Sequence, residues 1–268
     1  MADLMAFIAD NPDECRRLIG ASPWDDLTDA FPLIWRKQIT RTRSAPLLND
    51  EHYVDDHALS QIVASLPALG ADPTETVMVR VGDTERELPG CGDTQTMRML
   101  LLQILTGRRA SEICMCEFDC LSPPTARAVE AAEGEQIARF HYAQTKIDRA
   151  PDTILVDTEV VTVIEEQQQA VRTRFPDAPR YLFPRRLGNQ HGDKPVSRRV
   201  YGRSLLRFSD LIQVTDAKGR AIRLSQTHRF RHTRLTRLAE LGLPVHVLQR
   251  YAGHANPTMS MHSVARRE

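Results

Sequence analysis

The sequence has no apolar run close to the roughly 18 residues that a bilayer-spanning helix needs. Its opening stretch, MADLMAFIADNPDECRRL, lacks the basic-then-apolar order of a secretory leader. Cysteine is sparse and odd in number: Cys15, Cys91, Cys114, Cys116 and Cys120 form no extracellular framework, which points to free thiols in a reducing cytoplasm. Internal repeats and low-complexity tracts are missing too, so the chain is not a repeat array. Net charge is also absent, with 35 Lys and Arg against 35 Asp and Glu. What remains is ordinary for a globular protein: 41% apolar and 26% charged residues. A length of 268 residues fits one large domain, or a medium one with an appendage.

The zero net charge conceals a segregation. Residues 1–99 hold 9 Lys and Arg against 17 Asp and Glu, whereas residues 180–250 hold 16 against 4. A block this basic is either a solvated face or the footprint of a polyanionic partner, and its overlap with the motifs below favours the partner.

Along the chain, residues 1–48 read as short helical pieces broken by prolines, an N-terminal appendage or connector to a main domain spanning 49–268. Leu59, Ile62, Val63 and Leu66 have helical spacing. VMVRV, a Gly82-Asp83 turn and TERELPGCGD read as a surface hairpin or loop insertion. TQTMRMLLLQILTG is apolar nearly all round and predicts a buried helix ending at Gly107. RRASEICMCEFDCL reads as the next helix, up to Pro123-Pro124. QIARFHYAQTKI and TILVD make a β-hairpin with Lys146 near its tip. EVVTVIEEQQQAVRTRF is helical, RRLGNQHGDKPVSRR is a polar basic loop, and 197–213 is helical again. At least two helices follow, separated at Gly242-Leu243-Pro244, and Asn256-Pro257 opens a last short one. The fold class is mainly α with a small antiparallel sheet (α+β).

The chemistry concentrates between Ser225 and Val264. His228 and Arg231 stand three apart in a helical pattern, hence on one face, aimed together at an anion. Gly253-His254 follows one helix-loop-helix later. Far upstream, Arg108-Arg109 sits at a junction of helices with Glu112 one turn on. A buried arginine must be paired, and two guanidinium forks suit phosphate oxygens. Singly, each signal has a bland reading: Arg109 as a structural ion pair, Lys146 as a surface lysine, His228 as a cap or core residue, His254 as a partner for a carbonyl. Arg198, Arg199, Arg203 and Arg207 recur at helical spacing, as a solvated face or a phosphate-contacting one. Cys114, Cys116 and Cys120 lack a companion histidine and read as buried thiols on a helix rather than a zinc site. His141 and Tyr142 read as strand residues packing on the sheet.

Taken in order, these elements resemble the tyrosine recombinase, or phage integrase, family. TGRRASEI, Thr106 to Ile113, looks like its first box, T-G-x-R-x-S-E. HRFRHTRLTRLAELGLPVHVLQRYAGHANPTMSMH looks like its second, H-x-x-R-H-T followed by G-H, and QTKIDRAP like its β-hairpin lysine. The likeness covers roughly residues 50–264 and implies the catalytic-domain fold of that family. It further implies a site-specific recombinase of integrase or transposase type. Such an enzyme binds double-stranded DNA and exchanges strands through a 3′-phosphotyrosine without cofactor or metal. By that likeness Arg109 and Arg231 clamp the scissile phosphate and Lys146 protonates the leaving 5′-oxygen. His228 assists proton transfer, and His254 hydrogen-bonds the phosphate. The four arginines of 198–207 are placed against DNA backbone.

One position departs from the pattern. The family's nucleophilic tyrosine lies about nine residues after the second-box histidine, and that place is Ser263. No tyrosine follows Tyr251, which reads as packing. A serine hydroxyl sits closer to the backbone and is a poorer nucleophile and leaving group. The chain as written is therefore expected not to cleave, and we read the serine as a replaced tyrosine rather than the natural residue of an inactive relative. A non-cleaving DNA-binding protein and, less well matched, a type IB topoisomerase stand as alternatives. The resemblance also implies a homo-tetramer on DNA for a full-length protein, a possible core-binding remnant in 1–48, a catalytic domain abbreviated at its C-terminus, and no membrane association.

Overall fold

Asp55 starts the described fold: its carboxylate accepts the Ala58 amide at 2.8 Å and caps helix α1, Asp56–Gly70. The computed structural model describes residues 53–252, apart from 82–83, 127, 129–135, 144–152 and 178. The helical pieces read in 1–48 and the last short helix at Asn256-Pro257 lie outside the described residues. α1 buries Ala58, Leu59, Ile62, Leu66 and Leu69. Val63, assigned to that stripe from sequence, is 45% exposed. At 100° per residue it falls just outside the arc those residues define.

A hairpin follows, β1 (Thr76–Val81) against β2 (Thr84–Pro89), in register Val79↔Arg86 and Val77↔Leu88. It is no detached insertion, because Val79 and Leu88 are buried and β1 packs on α1. Asp93 then caps α2, Thr94–Thr106, taking the Thr96 amide at 3.1 Å. α2 runs through the centre of the core, as its apolar circumference requires. Met99, Leu100 and Leu102 are at most 1% exposed, and α1 and four later helices lie against it.

The segment after α2 differs from expectation. The predicted helix over 108–121 is only Ala110–Cys114, α3. Beyond it the chain opens to pair with 180–182: Phe118 donates to the Arg180 carbonyl and Leu182 to that of Cys116, both at 3.0 Å. Long-range pairing thus overrides local helix propensity. Cys114, Cys116 and Cys120 are all buried, but only Cys114 is helical. Burial pushes the Cys114 thiol up to about 12, leaving it inert as a thiolate.

β3 (Leu121–Ser122), β4 (Ala138–His141) and β5 (Thr153–Val156) form an antiparallel sheet in order β3-β4-β5, with fully buried Phe140 paired to Leu121 and Ile154. The β4–β5 hairpin matches the sequence reading; β3 is an addition to it. His141 bonds Ser122 at 2.7 Å and Thr153 at 3.3 Å through its ring nitrogens. α4 (Thr158–Arg174) packs on α2. The polar loop after it is anchored by buried Asn189, whose amide nitrogen donates to the Arg185 and Lys194 carbonyls at 3.2 and 3.0 Å. α5 (Arg198–Ile212), α6 (His228–Glu240) and α7 (Val245–Ala252) complete the described chain, with Gly242 at φ 87° breaking α6 from α7. No helix among the described residues is long and apolar enough to cross a membrane.

Candidate active site

The site is built on a turn. α2 ends at Gly107 in the left-handed region, φ 62°. A Cβ there would also lie 3.0 Å from that of Arg234 on α6. Glycine at this position therefore does two things: it reverses the chain into α3 and lets α6 come close. Arg109 is the N-cap residue of α3. Fully buried Glu112 closes a capping box, accepting the Arg109 amide at 2.9 Å on one oxygen and its guanidinium Nη1 at 2.6 Å on the other. The ion pair expected from sequence is present, and it orients the side chain of Arg109, which is 10% exposed.

Arg231 reaches the same turn from α6. It is 4% exposed, donates through Nη1 to the Gly107 carbonyl at 3.1 Å, and through Nη2 to the Ala252 carbonyl at the end of α7. Burial above all, then the charges of Arg108 and Arg109, push its guanidinium down to about 9, against the opposing pull of Glu112 and Tyr142. Arg109 and Arg231 thus meet at one junction, within electrostatic reach of each other.

Arg108 is the residue that sequence reasoning missed. Its side chain is fully buried, with Cζ 4.5 Å from the Tyr142 ring centroid and 4.7 Å from that of Tyr251. Its Nη2 donates to the Tyr251 carbonyl at 2.5 Å. The Tyr251 hydroxyl returns a bond to the Thr106 carbonyl at 2.7 Å, so Tyr251 packs, as read, but against the first box. The signal in the sequence was the Arg-Arg doublet; nothing local said which arginine turns inward.

His228 stands exposed in the first turn of α6, one turn before Arg231. Lys146, His254 and Ser263 lie outside the described residues. On α5, Arg199, Arg203 and Arg207 are exposed at four-residue intervals on one face, opposite buried Tyr201, Leu205 and Phe208. Arg198, also exposed, lies on another flank, where its charge reaches Cys114 of α3.

The guanidiniums of Arg109 and Arg231 thus meet at a junction of helices, Arg109 paired to Glu112 and Arg231 within reach of its charge, with buried Arg108 beside them. Such a helix-rich domain with small antiparallel sheets is the architecture of tyrosine recombinase catalytic domains. The profile of the Phage integrase family matches residues 74–266, and the chain belongs to that family. Transposase B from transposon Tn554 of Staphylococcus aureus is 28% identical over 165 residues, 62% of this chain and 23% of that protein. Transposase B from transposon PsiTn554, also of Staphylococcus aureus, has the same identity and coverage. The chain thus spans under a quarter of the length of these relatives. Among solved structures, the XerH site-specific recombinase bound to its difH substrate superposes with a TM-score of 0.54, at 13% identity over 80% of this chain and 50% of that one. The Tn1549 transposon integrase in complex with circular intermediate DNA gives 0.51, at 17% identity over 99% and 88%.

Proposed function

We propose that this chain is the DNA-gripping catalytic domain of a site-specific recombinase of integrase or transposase type, with its nucleophile position filled by Ser263. The observation that supports the reading is the meeting of two buried guanidiniums, Arg109 and Arg231, at the Gly107 turn. Charge held out of water in this way is relieved by an anion, and the buried Arg231 guanidinium, pushed down to about 9, has the most to gain from one. A DNA phosphodiester fits the two forks of Arg109 and Arg231, which would neutralise the pentacoordinate transition state as its charge develops. Lys146 supplies the proton to the leaving 5′-oxygen, His228 assists proton transfer and His254 hydrogen-bonds the phosphate. Arg198, Arg199, Arg203 and Arg207 contact the backbone of the duplex alongside.

Ser263 holds the place of the attacking tyrosine, so the chain binds duplex DNA and does not cut it. The test is Ser263→Tyr on a nicked duplex carrying the cognate site, with the covalent protein–DNA adduct read on a denaturing gel. An adduct formed by the substituted chain and not by the parent supports the reading. No adduct under conditions where the duplex is bound rejects Ser263 as the position and leaves a protein that binds without cleaving. Relaxation of supercoils by the same variant without site preference would instead indicate topoisomerase behaviour. For the longer protein we propose a tetramer across two DNA sites. The isolated chain without DNA is expected to sediment as a monomer, and a stable tetramer would contradict that.

A further inference from the structure

Arg108 has the largest fully buried side chain in the described fold. Its burial is expensive and its partners are few. One good hydrogen bond goes to the Tyr251 carbonyl, a long one of 3.4 Å runs from Nε to the Thr106 carbonyl, and buried Nη1 has no hydrogen-bond partner among the described residues. Glu112 is committed to Arg109, and among the described residues no carboxylate pairs with Arg108. A leucine would fill the slot between two tyrosine rings without the desolvation cost. The arginine must therefore do something that an apolar residue cannot.

What it does is join elements. Its guanidinium links the Gly107 turn to Tyr142, just past β4, and to the last turn of α7. There it takes the carbonyl of residue 251 while Arg231 takes that of residue 252, so two cations hold adjacent carbonyls at the negative end of one helix. In sequence the next two residues are Gly253 and His254. The Arg108 carbonyl is fixed as well: Gln103 Nε2 donates to it at 3.1 Å, and Gln103 Oε1 accepts the Tyr201 hydroxyl at 2.9 Å. That buried chain reaches α5, whose opposite face carries Arg199, Arg203 and Arg207.

Resting on the recombinase reading above, we infer that Arg108 is a positioning residue of the strand-cleavage site. Stacked against Tyr142 and Tyr251, it pins the end of α7, up to Ala252, to the Gly107 turn. It contacts no phosphate itself. Planarity is essential to this role: a lysine of equal charge neither stacks between two rings nor holds a carbonyl in the same direction.

Two measurements test this. In the chain as it stands, Arg108→Leu and Arg108→Lys are each expected to cut amide-exchange protection in 248–252 at least about tenfold while the amides of α2 and α4 keep theirs. In the Ser263→Tyr chain with a nicked duplex, both substitutions slow adduct formation at saturating DNA by about ten- to a hundredfold and leave the apparent Kd within about threefold. Unchanged α7 exchange in a folded Arg108→Leu chain overturns the inference. So does full rescue by lysine, which would make charge alone sufficient, or a loss of affinity matching the loss of rate, which would make Arg108 bind DNA directly. If Ser263→Tyr itself forms no adduct, the proposed function fails and the exchange measurement decides the role of Arg108 alone. If Arg108→Leu does not fold, Tyr142→Leu removes one face of the stack and is read in the same two ways.

Discussion

Replacing Glu112 by glutamine removes one charge and almost no volume, yet the structure gives it a large expected effect. Both carboxylate oxygens are in use, one by the Arg109 amide and one by its Nη1. Whichever way a glutamine amide is turned, its NH₂ faces a donor. The substitution also takes the Glu112 charge away from the turn where Arg109 and Arg231 meet. Breaking a buried ion pair from one side costs about 3–5 kcal/mol. For a domain of this size each kcal/mol lowers the melting temperature by about 2–4 °C, so Glu112→Gln should melt at least about 6 °C below the parent. The assay is thermal unfolding by circular dichroism, with and without a short DNA duplex. The duplex should narrow the gap between variant and parent, because an anion restores part of the lost neutralisation and binds only the folded state. A variant within about 0.5 kcal/mol of the parent would refute the view that Glu112 holds this cluster together.

Other outcomes follow from neighbouring features. Removing Arg199, Arg203 or Arg207 singly as glutamine should weaken DNA binding uniformly across sequences. Each should flatten the slope of log affinity against log salt by about 0.9 for every phosphate no longer neutralised, measured by fluorescence anisotropy; an unchanged slope would return these arginines to a solvated face. Arg231 titrates near pH 9 in the DNA-free domain, below the unfolded guanidinium. The folded state therefore loses that proton first, and the group's contribution to stability rises as pH climbs above 9. DNA affinity has the opposite sign: it stays level below pH 9 and weakens above it by up to about tenfold per unit, with proton uptake measurable by calorimetry in two buffers. Gly107→Ala combines a left-handed φ with a 3.0 Å approach to Arg234 and should cost about 1–3 kcal/mol in denaturant unfolding.

The elements with strong local signals were legible without coordinates. α1, α2, α4 and α5 follow from helical periodicity and their caps, and both hairpins from alternating runs around turn residues. The pairing of Arg109 with Glu112 was legible for the same reason, being an interaction between neighbours on one turn. Three features were hidden from any such reading. α3 stops at Cys114 because Cys116 and Phe118 find backbone partners at 180–182, more than sixty residues away, which no local window contains. β3 exists only because β4 offers it an edge. The inward turn of Arg108 depends on Tyr142 and Tyr251, two aromatic residues from separate elements that meet only once the chain is folded. Long-range packing of this kind decides the interior of the site, whereas its motif residues are readable as text.

The acceptors that aim Arg231 are the carbonyls of Gly107 and Ala252, atoms that every amino acid possesses. Side-chain substitution at position 252 cannot delete them, so the direction of this guanidinium is insulated from ordinary mutational drift around it. A change in the path of the main chain, such as a proline in the last turn of α7 or a β-carbon at Gly107, would turn it away from them. The side chains around this arginine can therefore vary while its guanidinium keeps the same bearing.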